Sequence, residues 1–141
     1  PTFVWEIEAA KASDMPEIED LIATVGGNRV DLATDQFVVA KSEDACILGC
    51  GRLRPYPDFC EIASMAVVGD VRATGIGRAI VERLLKTYEG TIYLICDDDV
   101  VEFFRRFEFS LLPESEMPDD LRPKWDYFCS PAGSMNLMRR G

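Results

Sequence analysis

The stretch from Cys60 to Tyr88 constrains the fold of this chain more than any other. Cys60 to Val68 is almost continuously apolar, the pattern of a strand covered on both faces and therefore central in a sheet. Gly69-Asp70-Val71-Arg72-Ala73-Thr74-Gly75-Ile76-Gly77 then breaks the run with a glycine-bearing turn. From Gly75 the spacing predicts a helix to about Tyr88, with Ile76, Ile80, Val81, Leu84, Leu85 and Tyr88 on its inner face and Gly90 ending it. A buried strand passing through a tight turn into an amphipathic helix commits the chain to a sheet with helices packed on it.

The rest of the chain supplies partners for that strand. Phe3, Trp5, Ile7 and Ala9 alternate as one face of a strand. Ser13-Asp14-Met15-Pro16-Glu17 reads as a helix start, with a capping residue, a proline and first-turn acids. Ile18, Leu21, Ile22 and Val25 follow at helical spacing, and Gly26-Gly27 stops them. Residues 28–35 fit either a loop or a short second helix. Gln36 to Lys41 and Ala45 to Arg54 read as two strands joined at Ser42-Glu43-Asp44, followed by a turn at Pro55-Tyr56-Pro57-Asp58. Thr91 to Cys96 is a further strand. Asp97-Asp98-Asp99 reads as a helix cap rather than a metal cluster, before Val100, Phe103, Phe104 and Phe107 at helical spacing. Phe109 to Leu112 and Met135 to Met138 are strands, with an irregular or short helical stretch from Pro118 to Phe128. This is an α/β (α+β) pattern: a mixed sheet with helices on it. The 141 residues predict one domain, 1–141.

Composition narrows the chemistry. Histidine is absent, which removes Ser-His-Asp and Cys-His catalysis and most zinc sites; no metal is expected. The five cysteines, Cys46, Cys50, Cys60, Cys96 and Cys129, show no C-x-x-C spacing, and four of them sit in apolar, strand-like contexts that suit buried reduced thiols. The net charge, 15 − 25 = −10, repels a phosphate backbone, so nucleic acid is not expected as a partner. No apolar run has the ~18–20 residues of a membrane span. Pro1 to Glu6 lacks the basic start and apolar stretch of a signal peptide, so the expected location is cytoplasmic and no membrane partner is expected.

The turn before the predicted helix is the best candidate for a ligand site. Free N–H groups at a helix N-terminus, with the positive end of the helix dipole, suit a phosphate or pyrophosphate. Gly75 and Gly77 lack the Cβ atoms that would hold a phosphate off the backbone, and Arg72 and Arg78 add charge at either end. The dinucleotide pattern G-x-G-x-x-G fails at Ile80, and no P-loop string is present. A plain structural turn remains open on these residues alone.

The segment resembles the GNAT superfamily of N-acetyltransferases. Arg72-Ala73-Thr74-Gly75-Ile76-Gly77 matches its R/Q-x-x-G-x-G/A signature, and Met65-Ala66-Val67 and Glu61-Ile62 match the end and start of the preceding strand. Phe103 to Phe109 is similar to its helix-to-strand junction, and element order agrees over nearly the whole chain. Two positions depart from the pattern. Phe104 stands where the family often has a tyrosine acid, and phenylalanine has no proton to give. Glu108 stands where a glycine is usual.

The resemblance implies a mixed, mostly antiparallel sheet of about six to seven strands with helices on both faces. It also implies acetyl-CoA as cosubstrate. Met65, Ala66 and Val67 would pair with the pantetheine arm, and the amides of Arg72, Ala73, Thr74, Gly75, Ile76, Gly77 and Arg78 would hold the pyrophosphate. Glu61 takes the position where the family often places its general base; the plain alternative is a surface glutamate at a strand end. The tail from Leu112 to Asp126 is similar to that of N-acetylglutamate-synthase-like members, which acetylate the α-amine of an amino acid. Such an acceptor needs a cation for its carboxylate, and Arg52 and Arg54, alternating on one strand, and Arg29 are the candidates. The expected function is therefore acetyl transfer to a small-molecule amine, with an amino acid such as glutamate the leading acceptor. A protein or peptide lysine acetyltransferase and a non-catalytic acetyl-CoA-binding module are the alternatives. The resemblance also leaves room for a homodimer through strand edges near the C-terminus.

Overall fold

The structure, a computed structural model, describes residues 4–25, 31–69, 75–128 and 135–141. Phe3, the Gly26-Gly27 stop, Arg29, Arg72, Ala73, Thr74 and Cys129 lie outside the described residues, as does most of the expected turn from Gly69 to Gly77. Strand β1 (Trp5–Ala9), helix α1 (Met15–Thr24), strands β2 (Phe37–Ser42), β3 (Ile47–Pro55) and β4 (Cys60–Val67) and helix α2 (Ile76–Leu85) come first. Strand β5 (Ile92–Asp97), helix α3 (Val101–Arg105), strand β6 (Ser110–Leu112), helix α4 (Arg122–Phe128) and strand β7 (Met135–Arg140) complete the chain. The seven strands form a mixed, mostly antiparallel sheet with β4 fourth in order. The described residues divide into two compact units, Pro1–Arg54 with Ile62–Glu89, and Pro55–Glu61 with Gly90–Gly141.

In the first unit β1, β2, β3 and β4 are consecutive neighbours. β1–β2 and β2–β3 are antiparallel, with Ile7 opposite Ala40 and Val39 opposite Cys50. Alternation along β3 gives each face to one helix. Cys50 points toward α1, where Ile18, Ile22, Phe37, Val39, Ile47 and Ala66 close a core. Gly49 and Gly51 point toward α2. A Cβ at Gly49 would lie 2.8 Å from Ile76 Cγ2, and one at Gly51 would lie 2.8 Å from Ile80 Cγ2, so the glycines let the helix lie down on the strand.

The start of α1 differs from the expected cap. Asp14 makes no side-chain bond to the α1 amides. It closes the preceding 3-10 turn instead, accepting the Lys11 N–H at 2.9 Å, and its other oxygen meets Lys41 Nζ at 2.9 Å. Lys41 also reaches Glu8 at 3.0 Å, tying β1, β2 and the helix entry together. Burial pushes the Asp14 carboxyl up, but the Lys11 N–H and the Lys41 ammonium outweigh it and hold it below its ordinary value.

In the second unit Cys60 and Glu61 pair parallel to Ile92 and Tyr93, and β5, β7 and β6 follow in antiparallel register. Phe59, Met117, Leu121 and Leu137 form its core, with Tyr56, Tyr93 and Trp125 packed against it. Three boundaries differ from the sequence reading. The second long helix stops at Leu85, short of Tyr88, because Lys86 N–H and Thr87 N–H fall back onto the Arg83 and Leu84 carbonyls at 3.3 and 3.1 Å. The expected acidic cap at Asp97 makes no side-chain bond to the turn it precedes, and Asp98 instead accepts from Asn136 Nδ2 at 2.7 Å. Cys46 falls in the turn before β3 and is exposed, whereas Cys50, Cys60 and Cys96 are buried.

Candidate active site

Helix α2 begins at Gly75, which has φ 86° and ψ 7°. Among the described residues, nothing lies within 4 Å of a Cβ added there. The left-handed backbone favours glycine, since an L side chain in that conformation costs about 1–2 kcal/mol. The first bond closing the helix runs from Ala79 N–H to the Gly75 carbonyl at 3.0 Å, which leaves the amides of Ile76, Gly77 and Arg78 without an intrahelical acceptor. The structure thus fits an anion at this end of α2. Arg78 is exposed and pairs with Glu82 at 2.7 Å, so its charge at the mouth is partly compensated.

Upstream, β4 carries Met65, Ala66 and Val67 at its C-terminal end. Its register with β5 is Cys60↔Ile92 and Glu61↔Tyr93, while the strand itself runs on to Val67. Within that extension Ser64 has φ 54°, a left-handed turn in the middle of a strand, so the chain leaves the extended path there.

Arg52 and Arg54 share a face of β3, as alternation predicts, and converge on one residue. Arg52 Nη1 donates to the Asp31 carbonyl at 3.1 Å and to Gln36 Oε1 at 3.4 Å. Arg54 Nη2 pairs with Asp31 Oδ2 at 3.1 Å. Arg52 is 0% exposed and lies 5.9 Å from the Phe37 ring centroid, so the core holds it. Arg54, with a side chain 21% exposed, is the one that reaches solvent. An internal carboxylate, that of Asp31, already engages Arg54, while Arg52 is held by the Asp31 carbonyl and the Gln36 amide.

Glu61 sits in the second unit and is 0% exposed, not a surface glutamate. Tyr56 Oη donates to its Oε1 at 3.1 Å, and Lys124 Nζ from α4 donates to its Oε2. The Lys124 side chain is 15% exposed. Tyr56, and the helix that carries Lys124, are fixed by the aromatic core. Tyr56 N–H donates to the Phe59 carbonyl at 2.8 Å, its ring stacks on Phe59 at 4.7 Å, and Phe59 meets Tyr93 edge-on at 5.0 Å. Leu121 and Trp125 seat α4 on the same cluster. A buried ion pair of this kind is costly to break from one side, about 3–5 kcal/mol, because the remaining charge stays out of water. Tyr56 and Lys124 were not among the residues singled out in the sequence. Tyr56 lies five positions before Glu61 in a proline-flanked turn, but Lys124 is 63 residues away and only the fold brings it there.

Phe104 is buried and packs edge-on against Phe103 and Phe109, at 5.0 and 5.8 Å. It is a core side chain. Burial pushes the thiols of Cys50 and Cys96 up to about 12, so neither is a nucleophile near neutral pH. No helix among the described residues is long and apolar enough to cross a membrane.

Residues 4–109 match the model of the Acetyltransferase (GNAT) family. An amino-acid acetyltransferase of Mycobacterium tuberculosis is 37% identical over 91 residues, which cover 57% of this chain and 52% of that protein. The structure superposes with a TM-score of 0.79 on N-acetylglutamate synthase from Neisseria gonorrhoeae, complexed with coenzyme A and N-acetyl-glutamate. That likeness has 19% identity and covers 99% of this chain and 35% of the synthase. A Mycobacterium tuberculosis protein in complex with CoA superposes with a TM-score of 0.76 at 25% identity, covering 96% of this chain and 98% of that one. The chain thus spans about half the length of the curated relative and about a third of the gonococcal synthase.

Proposed function

Because the chain belongs to the acetyltransferase (GNAT) family, we propose that it moves an acetyl group from acetyl-CoA to the primary amine of an amino acid such as glutamate, by direct attack in a ternary complex. The observation that carries this reading is Glu61, a fully buried carboxylate on the central strand held between a phenol and an ammonium. The amino-acid acetyltransferase relative supports the acceptor class.

When bound, acetyl-CoA supplies a thioester whose carbonyl carbon takes the acceptor nitrogen. The amides of Ile76, Gly77 and Arg78 would hold its pyrophosphate, with Arg72, Ala73 and Thr74 extending the cradle. Met65, Ala66 and Val67 would offer strand-edge hydrogen bonds to its pantetheine arm, and one of their amides would polarise the carbonyl. Arg54 would meet the side-chain carboxylate of an acceptor such as glutamate by displacing Asp31, with Arg29 in support and Arg52 positioning Asp31 from the core.

The chemical demand on the chain is proton removal. An alkylamine with a pKa near 10.4 is short of its neutral form by about 3.4 units at pH 7, or ~4.6 kcal/mol of barrier. Glu61 takes that proton, directly or through water, and Tyr56 keeps the carboxylate turned toward it. The C–N bond forms as the C–S bond breaks. One amine proton passes through Glu61 to solvent and the second ends on the released thiol. With Phe104 in the family's tyrosine position, water delivers that second proton.

The test is thiol release from acetyl-CoA with the twenty amino acids, lysine-rich peptides and polyamines. Turnover confined to amino acids is expected, with Glu61→Gln lowering kcat/KM about 10²–10⁴-fold. Turnover of peptides alone supports a protein acetyltransferase. CoA binding with no acceptor turned over supports a binding module, and an unchanged kcat across pH in Glu61→Gln removes Glu61 as the base.

A further inference from the structure

The geometry points to Lys124 as the residue that makes this chain choose an α-amino acid over a plain amine, by giving up Glu61 to the acceptor's ammonium and taking the acceptor's carboxylate in exchange. The inference rests on the amino-acid acetyltransferase reading above.

Glu61 is fully enclosed and both its oxygens are engaged, Oε1 by the Tyr56 phenol and Oε2 by the Lys124 ammonium. With Tyr56 on one oxygen and Lys124 on the other, an acceptor's ammonium reaches the carboxylate only by replacing one of these partners. Simple removal of Lys124 would leave Glu61 a buried, uncompensated charge. The pair can open without that penalty only if something brings a positive charge to Glu61 and a negative charge to Lys124 together. A zwitterionic α-amino acid does both, with its ammonium and carboxylate on the same α-carbon. One ion pair then becomes two: acceptor ammonium on Glu61, and Lys124 on acceptor carboxylate. Number and sign of buried charges stay balanced, and the proton to be removed now faces the base. An amine without a carboxylate gives Lys124 nothing to move to and adds a second cation beside it.

The fold supports such a move. Lys124 stands on a seven-residue helix anchored at Leu121 and Trp125, while its own side chain is 15% exposed and so has a path to solvent. Tyr56, held by its stack on Phe59, keeps Glu61 fixed while its partners exchange. Lys124 is thus a positioning residue: it touches the base and selects what may replace it.

The experiment compares kcat/KM for the best amino acid with that for its α-carboxamide and for the decarboxylated amine. The three substrates are tested in the wild-type chain, Lys124→Met and Lys124→Arg. Wild type is expected to prefer the acid at least 100-fold. Lys124→Met should cut that preference at least 30-fold, chiefly through KM for the acid, and Lys124→Arg should recover most of it. If Lys124→Met folds poorly, Lys124→Gln, which can still hydrogen-bond Glu61, carries the same comparison. Equal loss on all three substrates in Lys124→Met, or equal use of acid and carboxamide by wild type, overturns the role of Lys124 and leaves amino-acid acetylation standing. Absence of any acceptor turnover with CoA still bound overturns the underlying reading, and this inference with it.

Discussion

At the scale of single residues, the family's turn glycine has become Glu108, yet the turn has kept the glycine conformation. Glu108 has φ 71°, directly after α3, and its N–H donates to the Arg105 carbonyl at 3.1 Å. A left-handed residue at a helix C-terminus is where glycine costs least, and an L side chain costs about 1–2 kcal/mol more. The glutamate side chain returns little: it is exposed, and its contact with Arg140 is 3.6 Å. Glu108→Gly should therefore raise stability by about 1 kcal/mol, less a few tenths for the greater freedom of glycine in the unfolded chain. Urea denaturation checks this, and a destabilised variant would show that the Arg140 contact outweighs the strain. The substitution leaves a left-handed turn in place under strain, which needs φ and cannot be had from residue type.

At the scale of elements, what was legible is what period and turn residues control. The strands containing Ile47 to Pro55 and Cys60 to Val67 carry their alternation and their bounding Pro and Gly residues in plain view, and the structure places them within two residues of expectation at either end. Glu61 stands out in the sequence only through the family resemblance, whereas alternation alone puts Arg52 and Arg54 on one face. Lys124 was not legible, because its helix is seven residues long and its partner 63 residues away, a contact written in tertiary packing rather than local pattern. Helix α2 was overextended because apolar spacing continues through Tyr88 while Thr87 Oγ1 turns back to the Leu84 carbonyl at 2.7 Å. The glycines of β3 carry a prediction on this scale. Gly49 faces Ile76 Cγ2 at 2.8 Å and the Ala66 carbonyl at 3.3 Å from a notional Cβ, and neither a branched side chain nor a strand carbonyl moves cheaply. Gly49→Val should cost about 1–3 kcal/mol by overpacking. Because Ile76 is the first residue of α2, the same push shifts the helix mouth, so CoA affinity should fall with stability. Calorimetric titration with CoA at a temperature where the variant remains folded separates the two effects; unchanged affinity would mean that the mouth of α2 does not hold the cofactor.

At the scale of the whole molecule, the charge of −10 and the proposed polyanionic cosubstrate oppose each other. The opposition depends on distance, and salt sets the distance. At 0.01 M ionic strength the screening length is about 30 Å, so an approaching CoA feels the entire acidic shell; at 0.15 M it is about 8 Å, and only the helix mouth and Arg78 matter. Arg78 contributes less than a full charge there, since Glu82 sits 2.7 Å from it. The association rate for CoA should therefore rise with salt, by about two- to tenfold between those limits, the reverse of a protein with a basic entrance. The dissociation rate should rise as well, because the local contacts to phosphate weaken. Affinity then changes less than either rate. Stopped-flow mixing at several salt concentrations reads both rates. An association rate that falls as salt is added would mean that the local positive field reaches beyond the acidic shell, placing more basic charge around the entrance than Arg78 supplies.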